Sequence, residues 1–172
     1  MITVISGTNR PDSNSLIVAK SCIDLLVDKN IDAQLFSLAS LKDDFLFTEM
    51  YNEHSINYKA IIDQYISSAE KFIFIIPEYH GGFPGILKAF MDTLDHRSLM
   101  GKKAGLIGVA SGHAGALRPL DHFTHILHHL KMEVLSSKPK LSNVDNLITD
   151  NQLSDQISLK KISEFIENIN EF

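Results

Sequence analysis

The chain has 172 residues, 44% apolar and 22% charged, with a formal net charge of −5 and a single cysteine. That length suits one domain (residues 1–172), and the acidic balance without a basic cluster argues against nucleic acid as a partner. No apolar run approaches the roughly 20 residues that cross a bilayer, and a lone Cys22 forms no internal disulfide and fits a reducing, cytoplasmic setting.

Met1-Ile2-Thr3-Val4-Ile5 lacks the basic leader of a secretion signal and reads as the start of a first strand over Ile2–Ser6. Leu16, Ala19, Ile23, Leu26 and Val27 then follow a 3.6-residue period, which predicts a helix over 13–29, with Cys22 as plain packing within it. A short strand is expected over 32–37. Residues 38–57 are the least periodic part of the chain, and a helix resumes over 58–69. Within the aperiodic part, Phe45-Leu46-Phe47-Thr48-Glu49-Met50-Tyr51 is unusually apolar, which suits either a lid or subunit contact over a ligand site or a short helix docked on the core.

Phe72-Ile73-Phe74-Ile75-Ile76 has no polar alternation, as expected of a centre strand covered on both faces. It runs into Pro77-Glu78-Tyr79-His80-Gly81-Gly82-Phe83-Pro84-Gly85 and then a helical pattern over 86–94, with Pro84 at its start. A fourth strand is expected over 103–110, a helix over 114–130, a weak fifth strand over 132–135, an extended loop over 136–149 and a last helix over 153–169. Strands alternating with helices in this way predict an open parallel sheet with helices on both faces. Ligands of such sheets lie beyond the carboxyl ends of the strands.

Three strand-to-helix loops meet that requirement. The first, Ser6-Gly7-Thr8-Asn9-Arg10-Pro11-Asp12-Ser13-Asn14-Ser15, offers hydroxyls, an amide, a guanidinium and the unpaired N–H groups of a helix start, all suited to an anion such as phosphate. It is neither a Walker A loop nor G-x-G-x-x-G, and Ser13 serves equally well as a simple helix cap. The second is the Gly/Pro-rich turn after the centre strand, where Tyr79 adds an aromatic face. The third, Ala110-Ser111-Gly112-His113-Ala114-Gly115-Ala116, allows close backbone approach. Its Ser111 is not in a nucleophile elbow, so a Ser111/His113 hydrolase site has little behind it.

Together these loops resemble the NADPH-dependent FMN reductase family of flavodoxin-like proteins. The family's first loop, roughly Gly-Ser-x-Arg-x-x-Ser, is matched by Gly7, Thr8, Arg10, Ser13 and Ser15. Its second, Pro-Glu-Tyr-x-x-x-x-Pro-Gly-x-Leu-Lys-x-x-x-Asp, is matched by Pro77, Glu78, Tyr79, Pro84, Gly85, Leu87, Lys88 and Asp92, with His80 where Asn is common. The resemblance spans nearly the whole chain. It implies a flavodoxin-like three-layer α/β/α sandwich around a five-stranded parallel sheet of order 2-1-3-4-5.

It also implies FMN as cofactor, with Thr8, Arg10, Ser13, Asn14 and Ser15 about the phosphate. Pro77, Glu78, Tyr79, His80 and Gly81 would lie along the isoalloxazine, with Ser111 and Gly112 approaching it. NADPH or NADH would be the hydride donor, with ping-pong transfer to a small acceptor such as free flavin, a quinone, an azo compound or a metal oxyanion. The cofactor carries the redox chemistry, so no catalytic side chain is expected. A homodimer or homotetramer is implied as well. The rivals are a flavodoxin-type electron carrier that does not oxidise nicotinamide, and a flavin-free hydrolase or phosphate binder. No metal site is expected: His122, His125 and His129 share a helical face opposite Leu120, Phe123, Leu127 and Leu130, which suits a solvent-facing or subunit-facing surface.

Overall fold

A computed structural model describes every residue except Asn52. The apolar runs become the strands β1 (Ile2–Ser6), β2 (Ala33–Ser37), β3 (Lys71–Pro77) and β4 (Lys103–Val109), all parallel. Between them lie the helices α1 (Asn14–Asp28), α2 (Phe45–Thr48), α3 (Ile56–Ile62) and α4 (Gly85–Asp92), with α5 (Leu117–His129) and α6 (Gln156–Glu171) following β4. The sheet order is β2-β1-β3-β4-β5, where β5 is Glu133–Val134. This is the 2-1-3-4-5 order expected from the resemblance.

The centre strand shows why the sheet is buried on both sides. Successive side chains of a strand point to opposite faces. Phe72, Phe74 and Ile76 enter one apolar cluster with Leu87 and Phe90 of α4 and Leu120 and Phe123 of α5. Ile73 and Ile75 enter the other, with Val18, Cys22 and Leu26 of α1 and Ile162, Phe165, Ile166 and Ile169 of α6. Two helical layers therefore sandwich the sheet. The Cys22 thiol is fully buried, and that burial pushes its pKa up to about 12, so it packs as a small apolar group.

Two regions differ from the sequence reading. The fifth strand position is filled by two short pieces: β5 pairs with the start of β4 at Lys103 and Ala104, and β6 (Lys140–Leu141) pairs with its end at Gly108 and Val109. The sheet thus has six strands rather than five. The expected extended loop over 136–149 contains β6, a single 3₁₀ turn at Val144–Asn146, and the first arm of a hairpin, β7 (Ile148–Thr149), which pairs with β8 (Gln152–Leu153). Asp150 and Asn151 take φ of 50° and 58° at the tip of that hairpin, the left-handed pair that a two-residue type I′ turn demands. The helix expected over 58–69 begins at Ile56, where the Ser55 side chain caps it, and widens into a π turn over Asp63–Ser67.

The apolar stretch at 45–51 begins as the short helix α2 (Phe45–Thr48). Phe45 is buried and Met50 packs against the core, while Phe47 and Tyr51 are exposed. Among the described residues no helix is long and apolar enough to cross a membrane.

Glycines set the spacing between β4 and its covering helices. A Cβ at Gly108 would lie 2.4 Å from the Gly115 carbonyl oxygen and 2.9 Å from Leu120 Cδ1, and backbone cannot step aside cheaply. Gly108→Ala is expected to lower unfolding free energy by about 1–3 kcal/mol, the range for overpacking a filled interior. Urea denaturation measures this, and an unchanged midpoint would contradict the tight seating of α5 on β4.

Candidate functional site

The carboxyl ends of β1, β3 and β4 finish at one height. Gly7 N donates to Ile75 O at 2.9 Å and Glu78 N donates to Val109 O at 3.2 Å, so each strand end is tied to its neighbour. Gly7 is itself required there, since a Cβ would fall 2.8 Å from the Ile75 oxygen. Above these ties opens a cleft of about 460 Å³, within the usual size of a small-ligand site. Arg10, Ser13, Asn14 and Ser15 line it from the β1 loop, Pro77, Glu78 and Tyr79 from the β3 loop, and Ala110 and Ser111 from the β4 loop. Eight of the twelve residues singled out in the sequence are thus brought together on its wall.

The β1 loop delivers α1 with its N-terminus at the cleft. Ser13 is the N-cap, and its Oγ accepts from Leu16 N at 3.2 Å. A hydroxyl used this way as an acceptor keeps its O–H to donate elsewhere, so capping and ligand contact are compatible. As the first amides of α1, those of Asn14 and Ser15 have no carbonyl one turn back to pair with, and the positive end of the helix dipole adds to their pull on an anion. Arg10 supplies an exposed guanidinium beside them.

Thr8, His80, Gly81 and Gly112 stand apart from the cleft wall. Thr8 is buried, accepts from Arg10 N at 3.2 Å and shares a hydrogen bond of 2.9 Å with the Tyr79 hydroxyl. It therefore braces the β1 loop against the β3 loop and fixes the tilt of the Tyr79 ring. His80 and Gly81 are the tip of a two-residue turn: Tyr79 N donates to Gly82 O at 2.8 Å and Gly82 N to Tyr79 O at 3.0 Å. Their φ values of 52° and 78° are those of a type I′ turn. Asn and His are among the side chains that tolerate positive φ, which supplies a backbone reason for either at position 80. Cβ atoms built at Gly81 or Gly112 would meet nothing within 4 Å, so both leave open space on the loops they occupy.

Asp12, Val109, Ala110, Val144 and Asp145 line the cleft without having been singled out. Asp145 is the most consequential. The Ser111 hydroxyl, the Asn14 amide and the Arg10 charge together hold its carboxyl below the usual carboxylate range. A depressed folded-state pKa stabilises the fold above the ordinary value, and this contribution is lost as pH falls through the depressed one.

One buried polar atom is left over: among the described residues, Ser6 Oγ at the end of β1 has no hydrogen-bond partner. His122 packs against the Phe83 ring with centroids 5.0 Å apart, His125 and His129 are exposed, and no cluster of three or more His, Cys, Asp or Glu suited to a metal occurs among the described residues.

The family model described as NADPH-dependent FMN reductase matches residues 1–144. An FMN reductase (NADPH) of Pseudomonas aeruginosa is 28% identical over 123 residues, covering 71% of this chain and 64% of its own. An FMN-dependent NADPH-azoreductase of Staphylococcus aureus is 28% identical over 131 residues, covering 74% and 69%. An NAD(P)H-dependent FMN reductase of Schizosaccharomyces pombe is 36% identical over 77 residues, which is 45% of this chain and 37% of the relative. The matches thus span less than two thirds of the length of the yeast and Pseudomonas proteins. Among solved structures, the flavoenzyme NAD(P)H:(acceptor) oxidoreductase FerB of Paracoccus denitrificans superposes with a TM-score of 0.78 at 21% identity, covering 99% of this chain and 94% of that one. A flavodoxin from the domain Archaea gives 0.67 at 17% identity, covering 99% and 97%. The fold is therefore flavodoxin-like.

The type I′ turn at 79–82 yields a prediction about local stability. His80→Asn is expected to change unfolding free energy by less than about 0.5 kcal/mol, whereas His80→Val, β-branched at positive φ, should cost about 1–2 kcal/mol. Urea denaturation of both variants measures the difference, and equal stabilities would contradict the left-handed backbone at His80.

Proposed function

Because the chain belongs to the NADPH-dependent FMN reductase family, we propose that it binds FMN in the cleft above β1, β3 and β4. In this reading it oxidises NADPH or NADH and reduces a small acceptor: free flavin, a quinone, an azo compound or a metal oxyanion. The single observation that carries the reading is the convergence of an anion-binding helix start, a small-residue turn bearing Tyr79, and the Ser111 loop on one cleft of suitable size.

The donor set suits the group. Arg10, the hydroxyls of Ser13 and Ser15, the Asn14 amide and the first amides of α1 would hold the phosphate, an arrangement that needs no metal. Thr8 keeps the phosphate loop and Tyr79 in register through its two hydrogen bonds. Pro77, Glu78 and Tyr79, with the turn at His80 and Gly81, would border the isoalloxazine, and Ser111 and Gly112 would approach it from β4. Gly81 and Gly112 leave open space on the turns beside the cleft. FMN, when bound, supplies the hydride and electron-transfer chemistry. What the chain contributes is orientation, since hydride transfer is governed by how closely and squarely the reacting rings are held. A homodimer or homotetramer completes the proposal, supported by the exposed Tyr51 and Ile56 at the entrance to α3.

Two measurements test it. Anaerobic mixing of FMN-loaded protein with NADPH or NADH should bleach the flavin absorbance, followed by turnover with one or more of the acceptors named. FMN that binds but does not bleach would instead leave a flavodoxin-type electron carrier. Separately, Arg10→Ala should weaken FMN binding roughly ten- to hundredfold through loss of a charge-assisted hydrogen bond. Turnover at saturating FMN should change little.

A further inference from the structure

The cleft already holds an anion belonging to the chain. Asp145 lies in the turn that follows β6, and that turn is fastened to the β4 loop by Asn143 N to Gly112 O at 3.2 Å and Val144 N to Ala110 O at 3.1 Å. From there its carboxylate reaches across the cleft. Asn14 Nδ2 donates to Asp145 Oδ1 at 2.8 Å, linking the start of α1 to a residue 131 positions later in the chain. The Ser111 hydroxyl and the Arg10 charge both act to keep its carboxyl ionised. The Asn14 amide, a group suited to an incoming phosphate, is thus engaged with a side chain of the protein itself.

The charge balance sharpens the point. Among the residues lining the cleft, Asp12, Glu78 and Asp145 are carboxylates and Arg10 is the cation that faces them. A phosphate dianion entering this site meets an excess of like charge, which works against its binding. Asp145 is the carboxylate whose hydrogen-bond partners lie in the phosphate loop. A ligand without a phosphate has no quarrel with it.

We infer that Asp145 is a specificity-determining residue of the cleft, a stand-in anion that occupies the Asn14 amide and must yield it to a phosphate. It therefore lowers the preference for FMN over unphosphorylated riboflavin. This rests on the flavin reading above and deepens it: the same site becomes one whose phosphate selectivity is set by a residue outside the phosphate loop.

The test is Asp145→Asn, which keeps the shape and an acceptor oxygen for Asn14 while removing the charge, with Asp145→Ser as a second variant. Both are compared with the wild type by flavin fluorescence titration, using FMN and riboflavin in turn. The expected result is FMN binding about tenfold tighter in Asp145→Asn with riboflavin binding unchanged. Thermal melting in inorganic phosphate provides a flavin-free arm, in which phosphate should raise the melting temperature of the variants more than that of the wild type. FMN binding equal to or weaker than wild type would overturn the inference, because Asp145 would then be helping to hold the ligand. If neither flavin binds any of the proteins, the flavin reading fails by itself. The phosphate arm then decides the role of Asp145, and an unchanged response overturns it.

Discussion

Two backbone hydrogen bonds, Gly7 N to Ile75 O and Glu78 N to Val109 O, hold the ends of β1, β3 and β4 level, and the cleft exists because of them. A parallel sheet sends every strand into its following helix from the same edge, so the loops there collect whatever polar groups their sequences supply. With the strand ends tied, the β1 loop, the turn after Pro77 and the Ser111 loop face one another across a fixed gap. The apolar clusters on the two faces of the sheet make that gap rigid: Phe74 is locked beneath α4 and α5, and Ile75 beneath α1 and α6. Residues on the rim can be polar and strained because residues beneath them are neither.

Strain is visible at the rim. His80 holds a left-handed backbone at the tip of the Tyr79 turn, and Ala116 does so at the start of α5. Thr8 spends both of its hydroxyl interactions on the neighbouring loop and backbone rather than on the cleft. The same division of labour explains the glycines. Gly7 and Gly108 are fixed by backbone packed against them, whereas Gly81 and Gly112 face open space.

Much of this was legible in the amino-acid order. The unbroken apolar run at 72–76 marks a strand covered on both faces, and Ser13 ahead of the Leu16, Ala19, Ile23 pattern marks where α1 starts. The candidate loops after β1 and β3 follow from those two placements, while the individual residues expected to bind on them came from the family resemblance. What escaped lies where the signal is short or has no period. Strand β6 is two residues long and is held by pairing to Gly108 and Val109, which no local pattern announces. Asp145 sits in a polar stretch without periodicity, and its meaning comes from the backbone bonds that carry it to Gly112 and Ala110. The hairpin at 148–153 did carry a cue in Asp150-Asn151, a pair suited to left-handed backbone. His80 carried the same cue, since the residue types common at that position share a tolerance for positive φ.

The defining property of this cleft is the grip on a flavin mononucleotide proposed for the start of α1. The most direct measurement is a titration of FMN with increasing ligand-free protein, following flavin fluorescence in the wild type and in a variant with both Ser13 and Ser15 replaced by alanine. Saturable quenching at one FMN per chain in the wild type, markedly weakened in the double variant, is the predicted outcome. Quenching that never saturates, or that is indifferent to the loss of both hydroxyls, would contradict it.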